Sequence, residues 1–262
     1  MERAESLVFD RAVEYYDKTR SLSSASMDKL VPLIRRSVGA GPCLEIGVGT
    51  GRIALPLQAG GTEMVGLDLS RAMMQRLVHN AGGDLPFPLV SADASSLPFI
   101  DDSFAAALAV HVLHLIPAWR RALMELGRVV RPSGALVIDI GRQTQGPFRA
   151  LLAEFAAAAQ IPEAHRGVKE TDELDAALAE MGSSLTGTDV IEEVRSATYA
   201  RTIEALETGT YSITWAADQA TRTEAASHTR RWAEARYGPL DRRYDYKLEI
   251  TLRSYQLPPN RF

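Results

Sequence analysis

Cys43-Leu44-Glu45-Ile46-Gly47-Val48-Gly49-Thr50-Gly51 is the stretch on which the reading of this chain turns. A short apolar run, CLEIG (43–47), passes straight into glycines at alternate positions, and a helical pattern, RIALPLQA, follows. Glycines at this spacing let the backbone turn sharply and approach a ligand closely, because no Cβ intervenes. The helix beyond them presents unpaired N–H groups to a polar or anionic ligand. On its own such a strand-to-helix turn is shared by several nucleotide-binding folds. The spacing here is G-x-G-x-G, not the G-x-G-x-x-G that cradles a dinucleotide pyrophosphate.

Outward from that loop, short apolar runs alternate with helical patterns. The runs are EMVGLD (63–68), FPLVSA (87–92), FAAALAV (104–110) and ALVIDI (135–140). That alternation predicts a parallel sheet with crossover helices. SRAMMQRLVHN reads as a helix with Ser70 as its N-cap, and PAWRRALMELGRVV as one opening at Pro117. Arg131-Pro132-Ser133-Gly134 is expected to stop the latter and turn the chain into the fifth strand. Two carboxylates fall at the same rim as the glycines. Asp68 ends the second run, where it can accept hydrogen bonds from both hydroxyls of a ribose. Asp93 follows the third run in Ser91-Ala92-Asp93-Ala94. A lone Asp at a strand end is ordinarily a turn residue or N-cap. Three rim positions in register carry more weight than any one of them.

After Gly141 the character changes. Residues 146–182 read as helical, with FRALLAEFAAAAQ and then a capped helix from Thr171 to just before Gly182. TDVIEEVRSATY (188–199) is β-like, the sequence is mostly helical to about Arg236, and YDYKLEITLRSY (244–255) reads as a last strand. The expectation is one domain. Within it, residues 1–40 form an N-terminal helical cap and 41–142 a cofactor-binding core. Residues 143–240 form a helical lid containing strand six, and 241–262 the last antiparallel strand and tail.

Of the 262 residues, 46% are hydrophobic and 24% charged, as in ordinary globular proteins. The 29 Lys+Arg against 33 Asp+Glu give a net charge of -4, which argues against binding a phosphate backbone. Arg35-Arg36, Arg230-Arg231 and Arg242-Arg243 read as solvated helix faces or turns. The single cysteine, Cys43, excludes an internal disulfide and a Cys-cluster metal site, and its apolar setting reads as burial. The N-terminal MERAESLVFDRAVEYYD lacks the apolar stretch of a signal peptide. No run approaches the roughly 18 apolar residues of a membrane span. The expected compartment is the cytoplasm, with no metal and no membrane or nucleic-acid partner; the oligomeric state is not legible.

Taken together, these motifs resemble class I S-adenosylmethionine-dependent methyltransferases, in the small-molecule group related to ubiquinone- and menaquinone-biosynthesis enzymes. LEIGVGTGRIALPL is similar to their first motif, VGLDLSRAMM to their second, and ADASSLPFIDDSFAAALAVHVLHLI to their third and fourth. ELGRVVRPSGALVI is similar to the helix and strand that close the core. The likeness runs from about Phe9 to Ile140 and is loose beyond. It implies an α/β, Rossmann-like fold: a seven-stranded, mostly parallel sheet with helices on both faces and a helical lid insertion. The cofactor implied is S-adenosylmethionine, leaving S-adenosylhomocysteine, with a small molecule as acceptor. By the resemblance, Glu45 and the backbone at Gly47, Gly49 and Gly51 hold the methionine portion. Asp68 takes the ribose hydroxyls, and Leu69 and Met73 pack near the adenine. Asp93 and the Ala94 N–H meet its polar edge. Tyr16-Asp17-Lys18-Thr19-Arg20 resembles the N-terminal segment that closes over the cofactor, which makes Tyr16 and Arg20 candidates for its carboxylate end.

Methyl transfer from a sulfonium is an in-line displacement on an activated carbon, so alignment and exclusion of water matter most. A general base is needed only where the nucleophile must lose a proton. His111 and Asp139, at the ends of the fourth and fifth strands, are the candidates, and His111 also borders the cofactor. His114 is read as structural or as part of the cofactor or substrate surround. Tyr199, Tyr211, Trp215 and Trp232 lie in the expected lid, as substrate lining or as lid core. The absence of an Asn-Pro-Pro-aromatic signature after strand four disfavours DNA-adenine and protein-glutamine acceptors. Two other readings stand beside this one. A non-methylating S-adenosylmethionine-binding regulatory or scaffold protein would share the motifs. An NAD-dependent oxidoreductase is disfavoured by the glycine spacing and by Asp93.

Overall fold

The computed structural model describes residues 9–13, 15–17, 21–141, 143–161 and 167–260. Its contacts divide the chain into two compact units, one of residues 1–142, 165–191 and 250–262, the other of 143–164 and 192–249.

In the first unit the apolar runs become strands β1 (Cys43–Ile46), β2 (Met64–Asp68), β3 (Leu89–Ser91), β4 (Phe104–Val110) and β5 (Val130–Asp139). β1 pairs in parallel with β2 and β4, β2 with β3, and β4 with β5. All residues of β1 and β4 are buried, which is why CLEI and FAAALAV are continuous apolar runs and not alternating ones. Cys43 is among them, 1% exposed. β8 (Arg243–Gln256) joins β5 antiparallel, from Ala135↔Gln256 to Ile138↔Arg253. The sheet runs seven strands along one path, β3-β2-β1-β4-β5-β8-β6, where β6 is Gln143–Thr144; β7 (Ser184–Thr198) pairs with β8 off that path. Winding reverses between β1 and β4. In open sheets of this kind, ligands bind outside the carboxyl ends of the strands at such a reversal.

Helices α1 (Ser24–Val38), α2 (Ala54–Ala59), α3 (Arg71–Asn80) and α4 (Trp119–Val129) flank the strands, with α6 (Thr171–Glu180) following later. Ser70 caps α3 as expected, accepting from the Met73 N–H at 3.0 Å. α4 buries Ala122, Leu123, Leu126 and Val129, one stripe at helical spacing. The Arg128 guanidinium near its end donates to the Leu97 and Phe99 carbonyls and to Glu125 and Asp101, fastening the β3–β4 connection to the helix.

Three local expectations change. Arg131–Gly134 does not separate α4 from β5, because the strand starts at Val130, immediately after the helix. The four residues instead bulge out of β5, where pairing jumps from Phe104↔Val130 to Ala106↔Ala135. A Cβ on Gly134 would lie 2.7 Å from the Ala105 carbonyl oxygen, so only glycine fits the return. α6 begins at Thr171, but its N-cap is Glu170, which makes no side-chain cap bond. β7 starts at Ser184, four residues before the β-like run. Its opening is mostly exposed Ser, Leu, Thr and Gly, so no apolar alternation announces it.

The second unit holds α5 (Pro147–Ala158), α7 (Tyr199–Glu207) and α8 (Gln219–Tyr237), and pairs β6 with β8 through Gln143↔Glu249 and Thr144↔Leu248. Pro147 opens α5, while Thr198 and Asp218 cap α7 and α8. Its core is aromatic and small: Phe148, Phe155, Tyr199 and Tyr244 around Ile203, Leu206, Ala225, Ala226 and Ala233. Among the described residues, no helix is long and apolar enough to cross a membrane, and no group of three His, Cys, Asp or Glu is placed to hold a metal.

Candidate functional site

The site begins where β1 ends. Gly47 has φ 66°, in the left-handed region, and a Cβ there would lie 2.4 Å from Val112 Cγ2. The glycine loop and the segment after β4 are therefore in direct contact across the winding reversal. A Cβ on Gly51 would meet Leu77 and Leu55 at under 3 Å, which lets α2 and α3 close on the loop. Gly49 differs. Its nearest neighbours to an added Cβ are Met73 Cε at 3.6 Å and the Gly47 oxygen at 3.9 Å, so the missing side chain leaves a shallow cradle.

Asp68, at the end of β2, ties this loop down. One carboxylate oxygen accepts from the Gly49 N–H and the other from the Ser70 N–H, both at 2.8 Å. Burial pushes its carboxyl up, the amides of Ser70, Gly49 and Leu69 pull it back, and Asp10 adds to the rise. Leu69 stands 38% exposed beside it, an apolar side chain left in solvent at the rim, while Met73 is buried. Asp93 is exposed and accepts from the Ser95 N–H at 2.8 Å, a turn role, and Ala94 is buried next to it.

Glu45 lies in β1 at 2% exposure. Burial pushes its carboxyl up to about 8, Arg52 lowers it, Asp68 raises it and an N–H bond from Ala54 lowers it. Its Oε2 is buried and accepts no hydrogen bond from the described residues. Such an oxygen is costly to keep dry unless a donor meets it.

The other half of the rim is the end of β4 and β5. His111 holds φ 58°, strained for a residue with a Cβ, and its N–H donates to the Asp139 carbonyl at 3.0 Å. Asp139 is 3% exposed and its carboxylate accepts from the Gly141 N–H at 3.1 Å. The His111 and His114 rings lie 4.7 Å apart at 54°, and a Cβ on Gly141 would sit 3.4 Å from Nδ1 of each.

The first unit thus brings Glu45, Gly47, Gly49, Gly51, Asp68, Leu69, Met73, Asp93, Ala94, His111, His114 and Asp139 to one rim of one sheet. Tyr16 packs edge-on to Phe9 at 6.0 Å, and Arg20 lies outside the described residues. In the second unit, Tyr199 is buried and stacks on Tyr237 at 4.7 Å. Tyr211 meets Phe148 edge-on at 5.6 Å, and the Trp215 Nε1–H donates to the Gly209 carbonyl at 2.8 Å. Trp232 packs edge-on to Tyr237 at 5.7 Å.

Sequence reasoning missed the acids that lead into the rim. Asp17 accepts from Thr50 Oγ1 at 2.6 Å, Asn80 Nδ2 at 3.1 Å and Arg76 Nε at 3.3 Å. Asp10 accepts from Ser70 Oγ at 2.5 Å. Both are in the quoted N-terminal stretch, but their partners are 33 to 63 residues away, beyond any local pattern.

A methionine-bearing nucleoside fits these groups. Its ammonium would meet the buried Glu45 oxygen, its hydroxyls the remaining acceptor capacity of Asp68, and its base the apolar Leu69 and Met73. Comparison with known proteins bears on the family and the cofactor. A profile described as a methyltransferase domain matches residues 44–138. A demethylmenaquinone methyltransferase of Streptomyces avermitilis is 30% identical over 200 residues, covering 74% of this chain and 85% of that protein. A 2-phytyl-1,4-naphtoquinone methyltransferase of Trichormus variabilis is 31% identical over 175 residues, 62% of this chain and 76% of that protein. In fold the chain is similar to a phosphoethanolamine N-methyltransferase of Haemonchus contortus solved with S-adenosylhomocysteine. That match has a TM-score of 0.57 and 16% identity, over 95% of this chain and 57% of that one. The chain belongs to the class I S-adenosylmethionine-dependent methyltransferases, in the group related to the quinone-biosynthesis enzymes.

Proposed function

We propose that this methyltransferase acts on a quinone-type ring in its reduced, hydroquinone form. The names of the relatives from Streptomyces avermitilis and Trichormus variabilis support the acceptor class. Chemistry supports the oxidation state: a quinone ring is electron-poor, whereas the carbon beside a hydroquinone hydroxyl is electron-rich and can attack an electrophilic methyl. S-adenosylmethionine supplies that methyl on a positively charged sulfur, already activated for displacement.

The protein's part is alignment and proton handling. Glu45 and the glycine-loop amides orient the amino-acid end, Asp68 the ribose, and Leu69, Met73, Asp93 and Ala94 the base. Tyr16 and Arg20 are assigned to the carboxylate end. His111, with Asp139, takes the proton from the acceptor hydroxyl or from the methylated carbon, and His114 packs beside it. The observation that carries this assignment is the strained His111 backbone bonded to Asp139, against the segment whose Val112 touches Gly47. Strain of this kind persists where surrounding structure enforces it and clusters at working sites. Cytoplasmic action is the compartment proposed.

The test is transfer of a labelled methyl group to short-chain naphthohydroquinones, beside catechol, carboxylate and amine acceptors, with product located by mass spectrometry. A methylated ring carbon from the reduced quinone supports the reading. Transfer only to oxygen or nitrogen acceptors overturns it.

A further inference from the structure

Among the described residues of the first unit, Glu45 is a buried acid with one carboxylate oxygen left without a donor. Its neighbours in the sheet are Gly66 on β2 and Leu108 on β4, neither of which brings a polar side chain. The charged groups that act on it are Arg52 from the turn before α2 and Asp68 from the end of β2, and Cys43 lies two residues back on its own strand. Cys43 is itself neutral, since its burial pushes the thiol up. One Glu45 oxygen is bonded to the Ala54 amide, and the other is buried and accepts from none of the described residues. An unpaired anion in that position is disfavoured over the neutral acid. A fixed cation at Oε2 reverses the preference.

We propose that Glu45 waits for the cofactor as a carboxylic acid and receives its ammonium as a carboxylate, so that each binding event near neutral pH expels one proton to solvent. This rests on the reading of the site given above. No bond to carbon or sulfur changes; the O–H bond of Glu45 breaks and the buffer takes the proton. With the carboxyl at about 8, stability of the loaded state is gained as pH rises toward that value and levels off above it. The affinity for the amino-acid-bearing ligand therefore climbs by about tenfold per pH unit below that range, as linkage to one proton requires.

The experiment is calorimetric titration at pH 7 in buffers of low and high ionisation enthalpy, with S-adenosylhomocysteine and with 5′-methylthioadenosine. The second ligand has the ribose and base but no amino-acid end, so any proton exchanged at Asp68 is common to both and cancels. The expected result is release of close to one proton with the first ligand beyond that seen with the second, shrinking as pH is raised through 8. Equal proton exchange for the two ligands, with both binding, overturns the inference and leaves the cofactor site standing. Failure of either to bind removes the site reading itself. Glu45→Gln, whose amide has nothing to titrate, is expected to remove the difference in proton exchange between the two ligands. It should bind S-adenosylhomocysteine without proton release. Should that variant misfold, the two-ligand comparison on the unmodified protein still decides.

Discussion

The two units solve the problem of burial differently. The first packs short aliphatic strands and gathers many of its polar groups at the strand ends, in one rim. β4 is seven buried residues of Phe, Ala, Leu and Val. The second sets rings among its aliphatic side chains: Phe148 stacks on Tyr246 at 4.7 Å, Tyr199 on Tyr237, and Tyr244 leans on both neighbours. Rings carry hydroxyls inward, and these must be answered; Thr202 Oγ1 and Tyr244 OH lie 2.7 Å apart in the buried interior. In the first unit buried polarity gathers at the rim and at Tyr255, whose hydroxyl meets Asp175 and Arg253, and in the second it lies among the stacked rings.

Substitutions can break or sharpen that contrast. The largest expected effect is Phe155→Ala, fully buried among the α5, α7 and α8 side chains, at about 3–5 kcal/mol of stability. Denaturant unfolding measures it, and a loss below about 1 kcal/mol would show the aromatic core able to collapse into the gap. Next comes Asp68→Ala. It removes a carboxylate that fixes two amides, and bonds to a charged group contribute about 1.5–3 kcal/mol each, so affinity for S-adenosylhomocysteine should fall by about a hundredfold. Calorimetry with a melting curve separates this from misfolding; unchanged affinity would sink the assignment to the ribose.

Gly47→Ala combines positive φ with collision on Val112. Adding Val112→Ala should recover the steric part and leave about 1–2 kcal/mol of backbone strain, so the double variant is the more stable of the two. A double variant no better than the single would mean that Val112 moves aside freely. Tyr244→Phe leaves the buried Thr202 hydroxyl without this partner and should cost about 1–3 kcal/mol. The smallest effect is at His111, where Gly should give a protein more stable than Ala by about 1 kcal/mol, because glycine relieves the left-handed backbone. Both variants should lose methyl transfer. That pairing of gain and loss, read by unfolding and by turnover, separates strain held for function from a packing accident.

What the sequence revealed follows the same division. Five strands, the Ser70 cap and the rim residues were legible because parallel strands buried on both faces leave unbroken apolar runs and end at fixed distances from the glycine loop. The bulge at 131–134 was not. Pro, Ser and Gly in a row signal a turn, and only the space beside the Ala105 carbonyl shows that the chain bulges and re-enters the same strand. The acids Asp10 and Asp17 were not legible as anchors, since nothing near them in sequence names Ser70, Thr50 or Asn80. In the second unit the helices could be read from periodicity, but the ring-on-ring packing could not, because an aromatic residue gives no sign of which ring it will meet.

The position of β8 has a consequence for synthesis. It lies between β5 and β6 in the sheet, yet it follows both by about a hundred residues of chain. While the polypeptide emerges from the ribosome, β5 pairs with β4 early, and its other side remains an open row of amides and carbonyls until residues 253–256 arrive. During that interval the nascent chain exposes a strand edge of Ala135, Leu136, Val137 and Ile138, suited to pairing with a neighbouring nascent chain. Expression at high density should therefore yield aggregates that begin from this edge, and chaperones that shield open strands should matter most late in translation.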